Sequence, residues 1–124
     1  MAYALKWDAP EGVVKHFFGP VTGQDILDSV IETEASAHFD RLRWVINDFL
    51  DATSVTVTAD ELDEIAAIDR AAAQSNPYIR IAVVATQQEM VEAARHYAES
   101  PMNRYPTRIF PTLPEAHAWL AHEA

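Results

Sequence analysis

"IRIAVVA", residues 79–85, is almost continuously apolar and rich in β-branched side chains. A strand wetted on one face alternates apolar and polar residues, whereas a run without that alternation suits a strand covered on both faces. Strands covered on both faces belong to parallel sheets, whose crossover helices pack on the sheet. The fold therefore turns on whether helical patterns flank this run.

They do. Upstream, residues 59–75 carry Leu62, Ile65, Ala66, Ala72 and Ala73 at three- and four-residue spacing and stop before Asn76-Pro77. Downstream, Met90, Val91, Ala94, Tyr97 and Ala98 repeat the stripe of an amphipathic helix. Further out, "RWVINDF" (43–49) and "TRIF" (107–110) have strand length, Leu113, Ala116 and Leu120 mark a last helix, and Ile26, Leu27, Val30, Ile31 and Ala35 place a first helix over 23–37. At the start, "YALKW" (3–7) and "VVKHFF" (13–18) flank the turn-rich "DAPEG" and read as a hairpin. The order is ββαβαβαβα: an α/β fold with a mixed sheet, an N-terminal antiparallel hairpin and helices packed on the sheet. With no repeat, linker or low-complexity tract, residues 1–124 are expected to form one domain.

Each helix start carries a threonine followed three residues later by an acid: Thr22 and Asp25, Thr58 and Glu61, Thr86 and Glu89, Thr112 and Glu115. This is the capping-box spacing, with the threonine oxygen accepting a free backbone N–H and the acid reaching back. Val21 with Ile26, and Val57 with Leu62, add hydrophobic staples. Thr58 is thus read as a cap, and "NDFLDATSVTVTADE" (47–61) as the end of a strand followed by a loop leading into a helix.

The formal net charge of -10 and pI near 4.7 speak against nucleic acid or an anionic membrane surface as partner. No cysteine is available for disulfide, thiol or Cys–zinc chemistry, and no apolar stretch is long enough to span a bilayer, so the expected compartment is the cytoplasm. Abundant alanine and an excess of arginine over lysine suit a GC-rich bacterial genome.

Chemistry-bearing residues are sparse. Asp48 and Asp51 are placed at the carboxyl end of a central strand, where open α/β sheets bind ligands; the alternative is a side-chain turn onto backbone N–H groups. Glu92 and His96, at i and i+4 on the third helix, could share an ion, but a metal site needs more converging ligands, and no metal or cofactor is expected. Arg95 beside Tyr97 could meet an anion or a partner carboxylate. His38 and His117 are isolated, and Trp7, Trp44 and Trp119 read as core or core-edge aromatics. The loops of nucleotide binding and serine hydrolysis are missing, and no acid/base or nucleophile pair is evident, so no enzyme activity is expected.

The closing "FPTLPEAHAWL" has the form FxTxxEAxxWL, carried by Phe110, Thr112, Glu115, Ala116, Trp119 and Leu120. Together with "GPVTGQDIL", "RWVINDFLDAT" and "AARHYAE", it resembles the bacterial STAS-like proteins, relatives of the anti-sigma-factor antagonists, over essentially the whole chain. The resemblance implies a STAS-type fold and a regulatory or protein-interaction role. In the antagonists a phosphorylatable serine sits in an Asp-Ser-Ser-Gly-like turn after the third strand. Here Asp51 is followed by Ala52, Thr53, Ser54 and Val55 with no glycine, which leaves Ser54, then Thr53, as the positional candidates for phosphorylation.

Two functions follow as expectations. The first is a non-catalytic interaction module, a homodimer or the partner of another regulatory protein, with Trp7, Phe17 and Phe18 contributing an apolar contact. The second is a small apolar ligand or lipid carrier, which requires an enclosed pocket of at least a few hundred cubic ångströms. The binding candidates are Asp48, Asp51, Thr53, Ser54, Arg95 and Tyr97.

Overall fold

The computed structural model describes residues 2–8 and 10–122, so residue 9 of the "DAPEG" connection lies outside the described residues. The elements are β1 (Tyr3–Asp8), β2 (Gly12–Thr22), α1 (Gly23–Glu34), a 3-10 turn (Phe39–Arg41), β3 (Trp44–Thr56), α2 (Ala59–Ser75), β4 (Arg80–Val84), α3 (Gln88–Glu99), β5 (Thr107–Phe110) and α4 (Leu113–Ala121). This is the ββαβαβαβα order.

The strands form one five-stranded sheet in chain order. β1 pairs antiparallel with β2, Tyr3 opposite Phe17, and β2 through β5 pair in parallel. Each parallel step moves the chain the same way across the sheet. Right-handed crossovers then put α1, α2 and α3 on one face. α4 follows the last strand with no crossover to make, and it folds back on the other face against β3, β4 and β5.

Two cores result. On the three-helix face Val13, Phe17, Val21, Val45, Phe49, Ile81 and Val83 meet Val30, Leu62, Ile65, Met90 and Ala94. On the other face Ile46, Ala82 and Val84 pack with Ala116 and the half-buried Trp44, Phe110 and Trp119. β4 supplies side chains to both, the reason "IRIAVVA" shows no alternation.

β3 is nearly twice the expected length. It runs through the hydroxyl-rich segment to Thr56 and stays paired with β2 to Thr22. Its register slips twice: His16 faces Asp48 but Phe18 faces Asp51, and Gly19 faces Ala52 but Pro20 faces Ser54. Each slip is an extra residue on β3, a β-bulge, and each shifts the side-chain phase by one. Phe49, Ala52 and Val55, three residues apart, therefore all turn to the three-helix core, while Leu50 and Asp51 both face outward. Gly19, beside the second slip, has φ of 66°, a conformation glycine adopts without strain.

Three of the four threonine caps form. Thr22 and Thr58 make complete capping boxes with Asp25 and Glu61, and Thr112 Oγ1 accepts from Glu115 N. The fourth does not: α3 begins at Gln88 with Gln87 as its N-cap and no side-chain cap bond. α1 also departs from the sequence reading. It ends at Glu34 rather than residue 37, and Ile31 is 51% exposed while Ser29 and Thr33 are buried. The two hydroxyls donate to Ile26 O and Ser29 O of their own helix, which satisfies their protons while they face inward.

Candidate functional site

Ser29 and Thr33 face a polar cluster inside the three-helix core. On β2, Val13, Lys15 and Phe17 share one face; Val13 and Phe17 are fully buried, and Lys15 is only 5% exposed. Its ammonium has one contact, Ser29 Oγ at 3.5 Å. Across from it, α2 brings Asp69, whose Oδ2 accepts from the Tyr97 hydroxyl of α3 at 2.5 Å, and α1 brings Glu34 within hydrogen-bonding reach of Asp69. Desolvation lowers the Lys15 pKa to about 8, with Asp69 and Glu34 opposing. Burial first, then the Asp69 contact, raises Glu34 to about 8, so Glu34 carries its proton at neutral pH. Burial and the neighbouring carboxylate push Tyr97 up as well. These groups line a cavity of about 80 Å³ whose other walls include Val45, Leu62, Ile65, Ile81, Val83 and Met90.

That volume weighs against the carrier expectation. A cavity of about 150 Å³ holds one benzene, so a space of about 80 Å³ excludes a lipid chain. The side chains from β2–β4 and α1–α3 fill the room that a carrier would keep open.

The second feature is on the opposite face. α4 covers only β3 to β5 there, so the outward side chains of β1 and β2 stay uncovered. Lys6 and His16 lie on this half-face with Phe18 and, from the first bulge of β3, Leu50 and Asp51; Phe18 and Leu50 are each 40% exposed. His16 Nε2 lies 2.7 Å from Asp51 Oδ2 and its ring packs at 5.6 Å from that of Phe18. Trp7 and Phe17 do not contribute. Phe17 stacks on Phe49 at 4.4 Å in the core, and Trp7 is half-buried on the helix side against His38.

The sequence-derived candidates are scattered. Asp48 is buried in mid-strand, and its Oδ1 accepts from Leu50 N, the side-chain turn that was the alternative to a ligand role. Asp51 is exposed in the pair with His16 rather than at a strand end. Thr53 and Ser54 are exposed on the paired extension of β3, not on a turn. Arg95 is exposed while its near neighbour Tyr97 is buried in the polar cluster. His96 pairs with Asp63 at 3.0 Å and Glu92 with Gln88, so Glu92 and His96 are not drawn together. Lys15, Glu34, Asp69 and His16 were not singled out from sequence. A signal existed for Lys15 and Asp69: each is the polar member of an apolar repeat, Val13-Lys15-Phe17 at period two and Leu62-Ile65-Ala66-Asp69 at period 3.6.

No family model and no curated protein matches the sequence. Solved structures do. The anti-sigma-factor antagonist SpoIIAA in its unphosphorylated form superposes with a TM-score of 0.65 at 11% identity, covering 98% of this chain and 100% of that one. The chain has the fold of the anti-sigma-factor antagonists. The phosphorylated form of the Bacillus cell-fate determinant SpoIIAA gives 0.61 at 12% identity over 96% of this chain and 99% of that one. A DUF3478-family protein with a SpoIIAA-like fold from Shewanella loihica PV-4 gives 0.54 at 12% over 97% and 93%. The STAS-like resemblance seen in the motifs is thus borne out in the fold. No helix among the described residues is long and apolar enough to cross a membrane.

Proposed function

We propose that the chain is a non-catalytic regulatory module that works by binding protein, either a second copy of itself or another regulator, in the cytoplasm. The observation that carries this reading is the end-to-end likeness to SpoIIAA, an anti-sigma-factor antagonist, which covers 98% of this chain. The half-open sheet face adds a place for contact: Phe18 and Leu50, two exposed large apolar side chains beside the His16–Asp51 pair, form the apolar centre and polar rim common to protein interfaces. In this reading binding does not wait on phosphorylation of Ser54 or Thr53, since both lie on a paired strand without the glycine turn.

The test is quantitative co-purification from the native cell of the wild type and of a Phe18→Asp, Leu50→Asp double variant, with mass spectrometry of bound proteins. Both positions are exposed, so the variant should fold. The expected result is a wild-type partner, or a second copy, depleted at least tenfold in the variant. A partner retained equally by both would overturn the assignment of the face.

A further inference from the structure

The buried end of Lys15 has no role in an interaction face on the other side of the sheet. An ammonium has three N–H donors, and this one finds a single long contact to Ser29 Oγ. Neither Glu34 nor Asp69 lies within salt-bridge distance of it; among the described residues the carboxylate contacts at that distance are His16–Asp51 and His96–Asp63. A buried charge with so few partners is costly unless something else occupies the adjoining space. That space is the cavity of about 80 Å³, apolar on most sides, with Glu34, Asp69 and Tyr97 among its polar lining.

We propose that this cavity is a binding site for a small carbonyl compound, a short aldehyde or ketone of about three to five non-hydrogen atoms, which Lys15 holds as an imine. The size follows from the volume, about half that of a cavity that takes benzene. The carbonyl follows from the chemistry. A desolvated lysine amine is a nucleophile toward carbonyl carbon, and its pKa near 8 leaves a usable neutral fraction at physiological pH. The Lys15 lone pair adds to the carbonyl carbon, forming C–N as the C=O π pair moves to oxygen. That oxygen takes the Glu34 carboxyl proton, and the new N–H₂⁺ returns a proton to the Glu34 carboxylate. The carbinolamine hydroxyl then takes that proton and leaves as water while C=N forms. The resulting iminium lies in the cavity that Glu34 and Asp69 also line, with Tyr97 donating to Asp69. Aldehyde, amine and carboxyl proton become iminium, water and carboxylate, with no external oxidant or reductant.

The chain has two lysines, Lys6 and Lys15, so the exposed one is an internal control. The folded protein is incubated with propanal and cyanoborohydride near pH 7.5 and the propyl adducts are mapped by peptide mass spectrometry. Burial alone would protect Lys15; the expected result is instead an adduct at Lys15 forming at least tenfold faster than at Lys6. Glu34→Gln should slow the Lys15 adduct at least tenfold and leave Lys6 unchanged. Adduct at Lys6 with Lys15 unmodified overturns the proposal, as does a thermal midpoint raised equally by propanal and by 1-propanol. The readout does not involve the open sheet face, so its failure leaves the interaction reading standing.

Discussion

The carboxamide of Asn76 shows how much a single buried polar side chain can hold. It is 2% exposed, and its Nδ2 donates to Phe39 O and Leu42 O, its Oδ1 accepts from Tyr78 N, and its backbone oxygen takes the Tyr105 hydroxyl. The end of α2, the 3-10 turn and the approach to β5 are tied at one point. Asn76→Ala removes three side-chain hydrogen bonds, although Phe39 O keeps Leu42 N and Leu42 O keeps the Arg43 guanidinium; at about 0.5–1.5 kcal/mol for each bond lost, a loss of about 2–4 kcal/mol in urea unfolding is expected. The caps make a sharper pair. Thr58→Ala should cost about 1 kcal/mol because it removes a full capping box, whereas Thr86→Ala, with no cap bond to lose, should stay within about 0.5 kcal/mol, the range of surface changes. From sequence the two threonines look the same. Nothing in the Thr86–Glu89 spacing tells that the helix starts one residue later, at Gln88.

At the scale of the element, the helices and β4 were legible because their apolar spacing is regular and each period has one reading. β3 was legible only to Phe49. Beyond it the inward residues Phe49, Ala52 and Val55 come at intervals of three, neither a strand's period nor a helix's, because two bulges add one residue each opposite β2. Pairing across the sheet, which local sequence does not contain, decides that segment. The same ignorance of neighbours misplaced Asp48 and Asp51 at a strand end and left His16 unpaired. Phe49 points inward and stacks on Phe17, so Phe49→Ala costs about 3–5 kcal/mol, while the adjacent Leu50→Ala costs under about 1 kcal/mol. Gly12 is a further check. A Cβ there would lie 2.0 Å from the Trp44 ring, so Gly12→Ala should destabilise by about 1–3 kcal/mol through overpacking.

For the whole molecule, the buried cluster sets a pH signature. Glu34 is raised from 4.5 to about 8, so its native state binds the extra proton and stability falls as pH rises from about 4.5 to 8. Lys15 is lowered from 10.5 to about 8, so the unfolded state binds the extra proton and stability recovers as pH rises from about 8 toward 10. Above 10 the raised tyrosines, Tyr3 at about 12 among them, turn the slope down again. Thermal midpoints should therefore pass through a trough near pH 8, and Lys15→Met should abolish the recovery on its alkaline side. Tyr97 and Tyr105 face the same cluster, and burial followed by the Asp69 carboxylate raises both. None of this was readable from the net charge of -10, because it depends on three elements converging.

The claim on which the functional reading rests is that the uncovered half of the sheet, opposite the three helices, is where protein binds. Backbone amide NMR of the labelled chain, titrated with the co-purified partner or by its own concentration if that partner is a second copy, reads this directly. Perturbations are expected at Lys6, His16, Phe18, Leu50 and Asp51 and to be lost in the Phe18→Asp, Leu50→Asp variant; perturbations confined to α1, α2 and α3 would contradict it.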